Sequence, residues 1–92
     1  RPVVSITTNY RGAAATVVEN KITQAIEERV AGIEGLEVME SVTRDERSNT
    51  TLIFDLDRDV DAAANDVRDR VARVLAQLPE EADPPEVAKA DS

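Results

Sequence analysis

The sequence predicts an α+β domain: a four-stranded antiparallel sheet with two helices on one face. Three observations point there. Two segments, Tyr10–Leu36 and Val60–Leu78, place aliphatic residues at helical spacing. Around them lie stretches rich in β-branched residues that alternate apolar and polar. The order of these pieces is β-α-β-β-α-β, and right-handed crossovers then bring both helices to one side of the sheet.

Arg1–Tyr10 reads as the first strand, with Val4, Ile6, Thr8 and Tyr10 on one side and Val3, Ser5, Thr7 and Asn9 on the other. Gly12 ends it. The helix that follows runs about five turns and stops on Gly32 and Gly35. Thr16 and Glu19 have the spacing of a capping box. Ala15, Val18, Ile22, Ala25, Ile26, Val30 and Ile33 form its apolar stripe at about 100° per residue, and Arg29 is expected to snorkel at its end. Leu36–Thr43 is a second strand and Thr50–Leu56 a third, joined by the charged turn 44–49 as a hairpin. Leu52, Phe54 and Leu56 point one way; Thr51, Ile53 and Asp55 point the other. Asp57 or Asp59 caps the second helix, Val60–Leu78, whose core stripe is Val60, Ala64, Val67, Val71, Val74, Leu75 and Leu78. Pro79 stops it. After an acidic, Pro-rich loop, Glu86–Ala90 supplies a short fourth strand. The layout is the split βαβ, or ferredoxin-like, arrangement. It leaves one sheet face, with Ser5, Thr7, Asn9 and Thr51, too polar for a core and therefore turned to solvent or a partner.

With 92 residues there is room for one domain and one modest core, which buries roughly 60–65% of the unfolded surface. Tyr10 and Phe54 are the only rings, so that core is aliphatic. Nineteen acidic residues against 11 basic give a net charge of −8. This repels nucleic acid and disfavours an anionic membrane surface; its plain reading is solubility. Cys and His are absent, which excludes thiolate and imidazole chemistry and the zinc sites built from them, and leaves the redox compartment open. No apolar run reaches the ~18 residues of a membrane span, and no signal-peptide pattern is present. Because it begins on Arg1-Pro2 without Met, the chain is expected to be a piece of a longer one.

Three constellations bear on function. Opposite the core stripe of the second helix lie Asp61, Asn65, Arg68, Asp69, Ala72, Arg73 and Ala76. The first half of this face is charged and the second half small, so another helix could approach Ala72 and Ala76 closely; an ordinary solvated face is the bland alternative. Asp55, Asp57, Asp59 and Asp61 alternate as in a calcium loop, but the Gly at the bend and the closing Glu are missing, and helix capping explains the first members. Tyr10-Arg11-Gly12 before a helix could hold an anion, as in a small phosphatase of this layout, with too few glycines to support it. No catalytic set, metal or cofactor is expected, and the chain does not read as an enzyme.

Taken in order, Val3–Gly12 (VVSITTNYRG), Thr16–Ile26 (TVVENKITQAI), 32–36 (GIEGL), Thr51–Leu56 (TLIFDL) and Asp59–Pro79 resemble one segment of the resistance-nodulation-division (RND) efflux transporters. The segment is their first periplasmic porter subdomain, of the hydrophobic and amphiphilic multidrug branch; His is absent and Met39 is the one Met, unlike the heavy-metal branch. The resemblance implies a fragment, residues 1–92, of an inner-membrane homotrimer of Gram-negative bacteria that exchanges substrate for protons. It implies that the second helix meets copies from two further subunits and lines a central pore through Asp61, Asn65, Asp69, Ala72 and Ala76. It implies that Thr7, Asn9, Asn49, Thr51, Ala90 and Ser92 approach the substrate cleft. Asn65 and Asp69 make this pore face more polar than in the best-known members, and the helix lacks a Pro near Ala76.

The partners so implied are the other subdomains, a periplasmic adaptor, an outer-membrane channel and small amphiphilic substrates. A membrane-spanning helix is expected upstream of Arg1, and the proton-carrying residues lie elsewhere. The isolated chain should be monomeric or weakly associated. A bulky residue at Ala72 should impair efflux more than one at Glu27, taken as exposed. Two other readings compete: a free-standing ferredoxin-like module that dimerises through its sheet, and an acylphosphatase-like enzyme dependent on Arg11.

Overall fold

In the computed structural model, which describes residues 1–90, β-branched residues form β1 over Val3–Asn9. The first helix, α1, covers residues 15–30 in three parts: α-helix over Ala15–Val18, a π-helical stretch over Glu19–Thr23, and α-helix again over Gln24–Val30. β2 is Leu36–Arg44 and β3 is Arg47–Phe54. α2 is Val60–Val74, followed by a 3-10 turn over Leu75–Gln77, and β4 is Glu86–Lys89. All strand pairs are antiparallel in the order β2-β3-β1-β4, and with two helices this is the ferredoxin-like α+β fold.

The hydrophobic spacing of α1 explains its π stretch. Val18, Ile22, Ile26 and Val30 recur every four residues, and all are buried. In an ideal α-helix each step of four drifts by about 40° around the axis. The wider turn, closed by Gln24 N–H on Glu19 carbonyl, unwinds the helix and keeps the four in line over the sheet. It also turns Thr23 inward, which regular periodicity does not foresee. Ala15 and Ala25 are only half-buried.

The expected capping box does not form. Ala14 is the N-cap and gives no side-chain bond, while Glu19 accepts instead from Thr43 Oγ1 at 2.8 Å. The hairpin tip does the capping. Asp45 Oδ1 accepts from Ala15 N–H at 2.9 Å and Glu46 carboxylate from Gly12 N–H at 2.6 Å. The turn between β2 and β3 is therefore two residues, Asp45 and Glu46, rather than six. Glu46 sits at φ 66, a left-handed conformation that side chains resist, and backbone bonds to Ala13 and Tyr10 hold it there. The opposite end of α1 is capped from α2: Arg70 Nη1 donates to Arg29 carbonyl at 2.9 Å. Arg29 itself is half-buried.

The core lies between the helices and one sheet face, and it is graded. Near the chain termini it is aliphatic: Val4, Leu52 and Phe54 share one buried cluster with Val67, Val71 and Val74 of α2. Toward the hairpin it is hydroxylated. Thr8, Ser48 and Thr43 stand side by side on three strands, and Thr23 of α1 reaches Ser48 Oγ at 2.7 Å and Thr43 Oγ1 at 2.8 Å. Each hydroxyl has one proton, and Thr43 gives its own to Glu19. The direction is then fixed: Ser48 donates to Thr23, Thr23 to Thr43, Thr43 to the carboxylate. Such a one-way chain strengthens each member.

Two apolar residues leave the predicted core. Leu56 is 78% exposed because β3 ends at Phe54, so the alternation stops before it. Leu75 is 47% exposed because the helix tightens to 3-10 there and the stripe turns outward. Val60 is half-buried, and Ala63, which the stripe omitted, is fully buried. A bulge between Leu36 and Val38 keeps both Leu36 and Met39 on the helix side of β2.

Candidate functional site

Two of the faces left open once the core is closed carry the residues expected to make contacts. The first is the outer face of α2. Asp59 starts the helix by accepting Ala62 N–H on Oδ2 at 2.9 Å, and Val67, Val71 and Val74 fix its rotation against the sheet. Asp61, Asn65, Arg68, Asp69, Ala72 and Arg73 therefore point outward, and all are exposed; Ala76 is exposed too, but in the 3-10 turn. The side chains are not equally free. Asp61 Oδ1 pairs with Lys89 Nζ of β4 at 2.7 Å. That hydrogen bond and the Lys89 charge, with a smaller pull from Arg68, hold the Asp61 carboxyl below its ordinary value of 3.8. Asp66 is tied to Arg58, which also donates to Glu34 carbonyl at 3.0 Å. Asn65 accepts from Arg68 Nη1 at 3.1 Å.

The second is the sheet face away from the helices. Cross-strand register puts Thr7 opposite Asn49 and Ser5 opposite Thr51. Asn49 Nδ2 donates to Thr7 Oγ1 at 2.8 Å, and Thr51 Oγ1 donates to Asn49 Oδ1 at 3.3 Å. The structure thus joins three of the expected cleft residues in one polar ladder. At one end Val3, Ile53 and Val38 form an apolar row in register; Val42 stands beside Asn49 and is 52% exposed. Asn9 ends β1 apart from the ladder, its carbonyl bonded to Asp83 N–H at 2.9 Å. Ala90 lies just past β4, its N–H on Val3 carbonyl at 2.9 Å, and Ser92 is outside the described residues.

Elsewhere the loop at Arg11 and Gly12 offers little to an anion, because Asp45 and Glu46 already occupy the Ala15 and Gly12 N–H groups. Among the described residues no three His, Cys, Asp or Glu side chains gather as metal ligands, and no helix is long and apolar enough to cross a membrane. Glu27 is half-buried rather than exposed; Glu28 is the exposed neighbour. The Ser48–Thr23–Thr43 chain was missed from sequence. Its only signal was a Thr following Ile22 on the stripe.

The fold and these two faces define a small α+β module that presents one helix face and one sheet face for contact. The chain belongs to the AcrB/AcrD/AcrF family of RND efflux transporters, whose model matches residues 1–92. It is 37% identical over 81 residues to the multidrug export protein AcrF of Escherichia coli, covering 87% of this chain and 8% of that protein. It is 32% identical over 81 residues to the solvent-resistant pump membrane transporter SrpB of Pseudomonas putida, covering 87% and 8%. Over 88 residues it is 27% identical to the swarming motility protein SwrC of Bacillus subtilis, covering 96% and 8%. The chain spans about 8% of the length of these relatives.

Proposed function

We propose that the chain is the first porter subdomain of an RND efflux pump, on the periplasmic side of the membrane. In this reading α2 stands at a threefold axis and lines a central pore through Asp61, Asn65, Asp69, Ala72 and Ala76. The open sheet face, with Thr7, Asn49 and Thr51 at its centre and Asn9 and Ala90 around it, forms part of the cleft for small amphiphilic substrates; Ser92, the remaining candidate for the cleft, lies outside the described residues. The subdomain is not an enzyme and carries no cofactor. It works by shifting as a rigid unit against its neighbours, opening and closing the cleft while protons move elsewhere in the protein. Its partners are the other subdomains, two further copies, an adaptor and an outer-membrane channel.

The observation that carries this reading is the division of α2. One side is locked to the sheet by buried valines; the other is exposed, charged through Asp61, Arg68 and Asp69, and small at Ala72 and Ala76, with Arg73 off to one flank. Membership in a family of efflux transporters supports the same reading. A sheet-mediated dimer would use the other face and leave α2 wet. The test is efflux by the full-length transporter. Ala72→Trp should reduce resistance to a toxic substrate several-fold more than Glu28→Trp, with equal amounts of protein in the membrane. Equal effects would remove the pore assignment.

A further inference from the structure

The exposed face of α2 carries opposite charges on its two flanks. At about 100° per residue, Asn65 and Ala72 define its midline; Arg68 then lies about 50° to one side and Asp69 about 50° to the other. The two are consecutive, so they stand at almost the same height, about 1.5 Å apart along the axis. Both are exposed. The other acidic and basic groups nearby on this helix are engaged within the chain: Asp61 with Lys89, Asp66 with Arg58, Arg70 with the end of α1. Arg68 makes one bond, from Nη1 to Asn65, and neither it nor Asp69 belongs to an ion pair among the described residues. Four of the five guanidinium donors of Arg68 are left for a partner. Arg73 is exposed on the same side as Asp69, one turn further along, but about 90° from the midline, so that Asp69 is the charge on that flank nearest the axis.

A rotation axis running along the helix sets one flank of each copy against the opposite flank of the next, at equal height. A face that is positive on one flank and negative on the other is then complementary to itself. A copy packed antiparallel at this level would bring like flanks together, with Arg68 toward Arg68. We propose that Arg68 of one copy pairs with Asp69 of the next around the axis, giving three interchain ion pairs that set the register of the α2 helices. This rests on the reading above that α2 meets its sister copies at a threefold axis. The partner is a second copy of this chain, recognised by charge.

The test uses the full-length transporter in membranes, with Ala72→Cys as a reporter on the midline and oxidative cross-linking at low salt, where such pairs are least screened. The reporter alone should cross-link between subunits. Arg68→Asp or Asp69→Arg, each of which sets like charges against each other three times per ring, should lower the yield about five-fold. The double reversal, Arg68→Asp with Asp69→Arg, should restore it to within about two-fold of the reporter alone. Efficient cross-linking that ignores the single reversals, or that the double reversal fails to restore, overturns the ion pair and leaves the helix contact standing. No cross-linking in the reporter alone overturns the axial position of α2 and the pair with it.

Discussion

Replacing Thr23 with Val keeps the side-chain shape and removes one oxygen. Thr23 is fully buried and sits in the middle of the hydroxyl chain, 2.7 Å from Ser48 Oγ and 2.8 Å from Thr43 Oγ1. In the variant Thr43 still donates to Glu19, but Ser48, 2% exposed, loses the acceptor it uses. Leaving a buried hydroxyl without a partner costs about 1–3 kcal/mol. The added methyl recovers less than about 1 kcal/mol. The net loss is about 1–2 kcal/mol, and for a chain of this size each kcal/mol moves the Tm by about 4–8 °C. The chain carrying Thr23→Val should therefore melt about 5–15 °C lower by circular dichroism. Adding Ser48→Ala removes the stranded hydroxyl as well, so the double variant should recover about 1 kcal/mol relative to the sum of the singles. A Thr23→Val chain that melts at or above the unaltered temperature, or a double variant that loses the full sum, would refute the hydroxyl chain.

The remaining predictions concern the ends of β3 and α2. Phe54→Ala should cost about 3–5 kcal/mol, because Phe54 is fully buried, whereas Leu56→Ala two residues on should stay within about 0.5 kcal/mol in urea denaturation. Asp59→Ala should cost about 1 kcal/mol through loss of the bond to Ala62 N–H, and Asp59→Asn should recover most of it. The Asp61 carboxyl is held below its ordinary 3.8 by Lys89, so its contribution is present above that value and is lost as pH falls through the lower, folded value. Asp61→Asn should consequently be less stable than the unaltered chain at neutral pH, and the two thermal melts should converge in acid.

The layout was legible because the strongest signals are periodic. Val4 and Ile6 alternate with Val3 and Ser5, Val67, Val71 and Val74 repeat around α2, and Gly32 and Gly35 close α1 with positive φ. Gly35 could be read more closely still: a Cβ there would come 3.3 Å from the Arg58 side chain. The outer faces followed by subtraction, since a residue opposite a buried stripe is exposed, as Asp61, Asn65, Arg68, Asp69 and Ala72 are.

What stayed hidden depends on contacts between distant parts of the chain. Nothing local reveals that Asp45 caps a helix that starts 30 residues earlier, whereas Thr16 and Glu19 have the spacing of a cap without its contacts. Thr8 alternates with the core side of β1 and Ser48 reads as part of the charged turn, and only the register that sets Thr8, Ser48 and Thr43 side by side puts them beneath Thr23. The four-residue repeat of Val18, Ile22, Ile26 and Val30 did carry a signal of an underwound helix, one that a count at about 100° per residue averages away. Leu56 and Leu75 fail for a simpler reason. Each sits just beyond the end of its regular element, where periodicity no longer says which way a side chain points.

The most direct check is the arrangement of α2 in the intact transporter, determined by electron cryomicroscopy in a lipid environment. Three α2 helices from three subunits should face one another across a common axis, with Ala72 and Asn65 turned inward and neighbouring helix axes about 10 Å apart. Finding Ala72 against its own subunit, or the three helices separated by other parts of the protein, would contradict the assignment of this face to sister copies.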